Sequence, residues 1–272
     1  MIRRPHVRRV LDIVATAGVA VFAATFVAGS ARADTTDESQ MGAQLYSQLK
    51  AQSEIVKTSP LYDTLAPIAA AITKVVQPGY PYPIHFYIVH EAQPNAFAAP
   101  GGNVYVVDSL FYFVHNTEEL AGTICHETSH LLHHDSAELM KQDQGVRARA
   151  VAAILLLGPD LKNTVIISSI AKLDENHRSR GAEEQADLTG SNTCAKAGYN
   201  PWGLVWLMND FENSNLVAPP EILSDHPNDA HRIQALEQHF KADPATFAKY
   251  DKNSSSAKPL NPPANEAENF LR

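Results

Sequence analysis

Positive charge is what this chain of 272 residues is short of, with 22 Lys and Arg against 30 Asp and Glu. The deficit deepens once the start is set aside: residues 1–33 carry five Arg and one Asp, which leaves 17 basic and 29 acidic side chains, a net −12. That balance argues against nucleic acid or an anionic membrane surface as the main partner. Cysteine is nearly absent as well, with only Cys125 and Cys194. These two either bridge each other or lie as buried thiols that pack like small hydrophobes. Beyond residue 33 there is no internal repeat and no apolar run of bilayer-spanning length. The runs at 150–157 and 165–170 suit a core, or a hydrophobic lip beside a cleft.

The first 33 residues read as a secretory signal. Arg3, Arg4, Arg8 and Arg9 give a basic start, residues 13–29 are apolar, and Ala31-Arg32-Ala33 forms a small-x-small cleavage triplet. Cleavage is expected after Ala33, with the protein periplasmic or secreted and no stable membrane span; the alternative is a retained anchor. No cysteine lies near the triplet, so a lipid anchor is not expected. The rest divides into one domain over residues 34–250 and a Ser-, Pro- and Asn-rich tail, 251–272, expected to be disordered.

Within the domain, residues 34–41 are polar and expected to be loose. Apolar spacing predicts helices over 41–56 and 62–76, the second closed by Gln77-Pro78-Gly79. Residues 83–90 and 103–107 are β-branched and aromatic, hence strands. Asn95-Ala96-Phe97-Ala98-Ala99-Pro100-Gly101-Gly102 lies between them, either a plain hairpin turn or the approach to a free strand edge. Further helices are expected from Asn116, over 179–197 closed by Gly198, after Asn200-Pro201, and over 228–240. Trp202 and Trp206 read as core.

The chemistry is concentrated in His126-Glu127-Thr128-Ser129-His130, an H-E-x-x-H pentad in an apolar helical run. Four residues apart on a helix, the two imidazoles stack on one face where they can grip one metal ion, with Glu127 beside it. At this composition about 0.03 such pentads arise by chance. Neutral imidazole suits zinc, and a catalytic zinc site keeps one position open for water. The pentad lacks the Gly at 133 and the His at 136 that a metzincin requires; His133 and Ser136 stand there, so that class is excluded. The remaining common solution is a Glu from another helix. Glu183 and Asp187 are four apart and can both face the metal, one as ligand and one as partner to a ligating histidine.

These blocks together resemble the zinc gluzincins that include the HtpX-type and CAAX prenyl endopeptidases, metallopeptidase family forty-eight. The blocks are residues 95–102, the pentad, Glu-Glu-Gln-Ala-Asp at 183–187 with Ala-Gly-Tyr-Asn-Pro at 197–201, and His226-Pro227 followed by Arg232-Ile233. The resemblance implies an α+β fold, mostly helical, with a small sheet that presents an edge strand to the active-site cleft. It implies one Zn2+ per chain on His126, His130 and Glu183, with Glu127 as general base and Asp187 supporting a ligand. It raises the strand around Val104–Val107 to the substrate-binding edge, with Asn95, Ala96, Phe97, Gly101 and Gly102 leading into it. Arg232 would anchor its loop to an active-site carboxylate or stabilise the oxyanion, and His226 either caps its loop or reaches the zinc in a resting state. Many relatives carry a histidine where this chain has Asp135, and His133 reads better as a helix-end imidazole than as a ligand.

The expected activity is zinc-dependent endoproteolysis of protein or peptide substrates, misfolded or envelope proteins among them. Water activated by the metal gives its proton to Glu127, which returns it to the leaving amine. The competing reading is an envelope quality-control factor that binds unfolded protein in the same cleft and rarely cuts.

Overall fold

In the computed structural model, residues 35–142, 179–213 and 230–263 are described. They run α1 (Thr35–Ala51), β1 (Ile55–Val56), α2 (Leu61–Val76), β2 (His85–Val89), β3 (Ala96–Ala99), β4 (Asn103–Val107), α3 (Leu110–Phe113), α4 (Thr117–Leu132), α5 (Asp135–Gln142), α6 (Arg180–Ala197), α7 (Trp202–Asn213), α8 (Ala230–Ala242) and α9 (Pro244–Phe247). The signal-like start, the apolar runs at 150–157 and 165–170, and His226 lie outside the described residues. Among those described, no helix is long and apolar enough to cross a membrane. The fold is α+β, mostly helical around one small mixed sheet.

The sheet has the order β1-β2-β4-β3. β2 pairs parallel with β4, while β1 on β2 and β3 on β4 are antiparallel. Residues 96–99, expected to be connection, are thus a strand, and β4, expected to be the edge, is interior. The antiparallel pair β3–β4 is closed by Pro100-Gly101-Gly102, whose glycines take φ 76° and 92°, a conformation that only Gly adopts cheaply. The turn is also crowded: a Cβ on Gly102 would stand 2.2 Å from the Pro83 carbonyl oxygen.

Both faces of the sheet are covered. On one, Val104 and Val106 of β4 and Ile88 of β2 pack with Leu65, Ile68 and Ile72 of α2 and with Leu120 and Ile124 of α4. On the other, Tyr105 and Val107 meet Leu49 and Leu45 of α1. The polar residues from Thr35 to Gln40, expected to be loose, belong to α1, which docks on the Pro100–Gly102 turn. Ile55 and Val56, expected to be helical, instead form β1, because the chain breaks from α1 at Ser53, which has φ 62°. Trp202 joins a third cluster with Leu236, Phe240 and Phe247, whereas Trp206 is only partly buried and donates its indole N–H to the Lys252 carbonyl at 2.8 Å.

Helix starts follow local chemistry. The Asn116 side chain accepts the Glu119 N–H (3.0 Å) at the start of α4, and the Ser179 hydroxyl accepts the Ala182 N–H (3.2 Å) at the start of α6, each satisfying a donor the helix cannot. Of the tail, residues 251–263 are described and 264–272 lie outside the described residues. Residues 251–263 run as a strap along the start of α4, where Thr117 N–H donates to Lys258 and Leu260 N–H donates to His115, each at 3.0 Å. Leu260 packs on the main core. A single apolar anchor among polar residues is a weak composition signal, and backbone pairing carries the rest.

Candidate metal centre

α4 is buried along nearly its whole length, Glu127, Thr128, Ser129 and His130 included. Its polar residues survive there because each has local work: Thr128 and Ser129 donate their hydroxyls back to carbonyls one turn earlier, at 2.8 Å to Ile124 and 2.8 Å to Cys125. α6 packs closely against it at Gly190. A Cβ there would lie 3.1 Å from the Cys125 carbonyl oxygen and 3.1 Å from the His126 Cα, so a larger residue would have to push the two helices slightly apart. The disulfide between Cys125 and Cys194, with Cα atoms 5.8 Å apart, ties the same two helices.

That approach brings Glu183 to the two histidines. The Nε2 atoms of His126 and His130 are 3.1 Å apart, and the Glu183 carboxylate oxygens stand 3.4 Å from the first and 3.5 Å from the second. All three side chains are buried. Tetrahedral zinc with ligands at about 2.0–2.2 Å separates them by about 3.4 Å, so the donor set fits the ion in both chemistry and spacing. The electrostatics agree. Burial disfavours a cation on His126, yet Asp187 and Glu183 outweigh it and raise the imidazole to about 9. A pocket that attracts a proton so strongly against desolvation also attracts a divalent ion.

Each histidine is held from behind. His126 Nδ1 lies 2.9 Å from Asp187 Oδ1, and His130 Nδ1 lies 2.6 Å from Asp135 Oδ2. Arg232, from α8, grips Asp187 with two bonds of 2.7 Å, from Nε and Nη2, and places Nη1 3.2 Å from Glu183. Burial pushes the Asp187 carboxyl up, but Arg232 and then His126 more than offset it and hold it below the ordinary carboxylate range. Arg232 thus contacts two carboxylates of α6.

Glu127 sits beside the set, and its Oε2 accepts the Ala98 N–H at 2.9 Å. Ala98 is on β3, at the sheet's edge, so Glu127 and the edge strand are in direct contact. Of the residues expected to line the substrate edge, Ala96 and Phe97 are on β3, and Asn95 precedes it with Oδ1 accepting the Ala96 N–H at 2.7 Å. Phe97 stacks on Tyr105 with centroids 4.9 Å apart. Val104 is fully buried in the core, and Gly101 and Gly102 serve the turn against α1 and Pro83. The edge therefore shifts by one strand from β4 to β3, because β2 covers the far side of β4. His133 caps α4, its Nε2 3.2 Å from the Thr189 hydroxyl and outside the donor set. Burial lowers its proton affinity, and His134 adds to this. Asp135 and Ser136 were not expected at the site; the end of α4 between them and His130 hides their proximity from helical spacing.

A second group, His115, Glu119 and Asp210, also has its donor atoms within 4.8 Å. Glu119 is occupied there as a capping residue, accepting the His115 N–H at 2.7 Å and bonding Asn116.

Two histidines one turn apart, a glutamate from an adjacent helix, a buried carboxylate between them and a strand edge beside it make the arrangement of a metallopeptidase site. The chain belongs to Peptidase family M48, which residues 63–239 match. Similar proteins include the beta-barrel assembly-enhancing protease of Yersinia pestis, 30% identical over 53% of this chain and 32% of that protein. The protein of that name from Escherichia coli K12 is 24% identical over 72% of this chain and 42% of its own length. The mitochondrial metalloendopeptidase OMA1 of Saccharomyces cerevisiae is 27% identical over 59% and 47%. The matched part thus spans less than half of each of these relatives.

Proposed function

We propose that this chain is a zinc-dependent endopeptidase acting on proteins in the bacterial envelope or outside it, with zinc held by His126, His130 and Glu183. The observation that carries the reading is the contact between Glu127 and Ala98, which sets a buried carboxylate between the donor set and a strand edge. Zinc held there by His126, His130 and Glu183 would supply a Lewis acid. Glu127 accepts the water's proton and delivers it to the leaving amine. Ala98 itself is held by Glu127 and Ser136, so an extended peptide substrate would lie beside β3 and over that carboxylate rather than pair with Ala98. Export is supported by the signal-like pattern of residues 1–33 and by the disulfide, which an oxidising compartment favours. The names of the Yersinia and Escherichia relatives point to envelope proteins as the substrate class.

Glu127→Ala tests the reading. It should retain one zinc per chain and lose cleavage of an unfolded protein by at least about 10²-fold, and a chelator should abolish the wild-type activity. Cleavage by the variant at the wild-type rate overturns the assignment. A wild-type protein that binds unfolded protein without cutting it establishes the quality-control reading instead.

A further inference from the structure

We propose that Asp135 is a positioning residue for the ligand His130, and that Ser136 fixes it there by tying its turn to the edge strand. This rests on the zinc assignment above. His130 is fully buried, and its Nδ1–H donates to Asp135 Oδ2 at 2.6 Å, short as charge-assisted bonds are. On an uninterrupted helix, residue i+5 is rotated about 140° from residue i and could not turn back under the ring. The chain makes the contact by breaking: His133 caps α4, His134 takes φ 59°, and Asp135 opens α5. Its carboxylate is favoured in that first turn by the helix dipole. The turn is then pinned from the other side, because the Ser136 hydroxyl donates to the Ala98 carbonyl at 2.7 Å.

Ala98 is thus gripped at both peptide groups, its N–H by Glu127 and its C=O by Ser136. Two consecutive residues of α5 join the ligand His130 to the strand that meets the base. A carboxylate behind a ligating imidazole selects the tautomer with its Nε2 lone pair toward the metal, fixes the ring plane and raises the ligand's basicity. His126 receives the same support from Asp187, which Arg232 in turn holds. Asp135 is the corresponding support for the second histidine.

The test is zinc affinity of the purified full-length protein by chelator competition, together with the absorption spectrum of the cobalt-substituted protein and thermal unfolding of the metal-free protein. Asp135→Asn keeps the shape and removes the charge. It is expected to weaken zinc about 10-fold or more and to change the cobalt spectrum, with a cooperative metal-free unfolding transition showing that the variant still folds. Ser136→Ala is expected to move affinity in the same direction by less, and it carries the test if Asp135→Asn does not fold. Glu38→Gln is the control: Glu38 pairs with His134 at 3.0 Å, one residue away, without touching a ligand, and its affinity should match wild type. Zinc affinity within twofold of wild type in the Asp135 and Ser136 variants overturns the inference, as does an equal loss in Glu38→Gln. Wild-type protein that holds no zinc, or a His130→Ala variant that holds it as tightly, overturns the metal assignment and the inference with it.

Discussion

Arg232 supports the site from behind, through the carboxylates of Asp187 and Glu183. Its guanidinium is buried with two carboxylates, Asp187 and Glu183, that would otherwise repel each other and be costly to desolvate. Arg232→Met leaves them buried without that cation and should destabilise the protein by about 3–5 kcal/mol in urea unfolding. Arg232→Lys should recover only part of this, because an ammonium cannot reproduce the two-pronged bond. The sign of the pH dependence follows from Asp187. Its folded-state carboxyl lies below its ordinary value, so its contribution is fully present above about pH 4 and is lost as pH falls through the lowered folded value. The stability gap between wild type and Arg232→Met should therefore be constant from pH 8 to about 5 and shrink in stronger acid. A gap that grows on acidification would contradict the pairing.

Among the elements, the α4–α6 pair governs the geometry, since two of the proposed ligands come from one helix and the third from the other. The disulfide fixes them across a separation of 69 residues. For a loop of that length, chain entropy assigns the link about 4 kcal/mol. The double variant Cys125→Ala, Cys194→Ala should lose up to about that much stability, and wild type treated with reductant should fall to the level of the double variant. Wild type that unfolds at the same urea concentration with and without reductant would show the link to be energetically idle. Gly190 does the complementary work by permitting the approach that the disulfide then holds.

Across the whole molecule, the two ends of α4 are managed separately. The strap of residues 251–263 closes the N-terminal end through Thr117, His115 and Leu260, whereas the donor set lies about 14 Å or more further along the helix. Ending the chain at Tyr250 should cost about 2 kcal/mol, from the lost backbone bonds and the exposed Leu260, and lower the melting temperature by about 4–8 °C. Zinc affinity should hold. A truncated protein that melts normally, or one that loses zinc, would refute this separation. The strap escaped composition because its attachment is mostly main-chain and carries no side-chain signature.

What the sequence determined by itself was whatever depends on short spacing. The i, i+4 histidines, the Glu127 between them, the Glu183/Asp187 pair and the caps at Asn116 and Ser179 are set by helical periodicity and local hydrogen bonding. Tertiary structure alone decided which strand is the edge, because a strand's exposure depends on what pairs with its other side, and β2 takes that place on β4. It also decided the service of Asp135 and Ser136, since a helix break sends the chain back on itself and helical spacing no longer says what meets what. The assembly of Arg232 with Asp187 and Glu183 is of the same kind, a contact across 45 residues of chain that only packing of α8 on α6 creates.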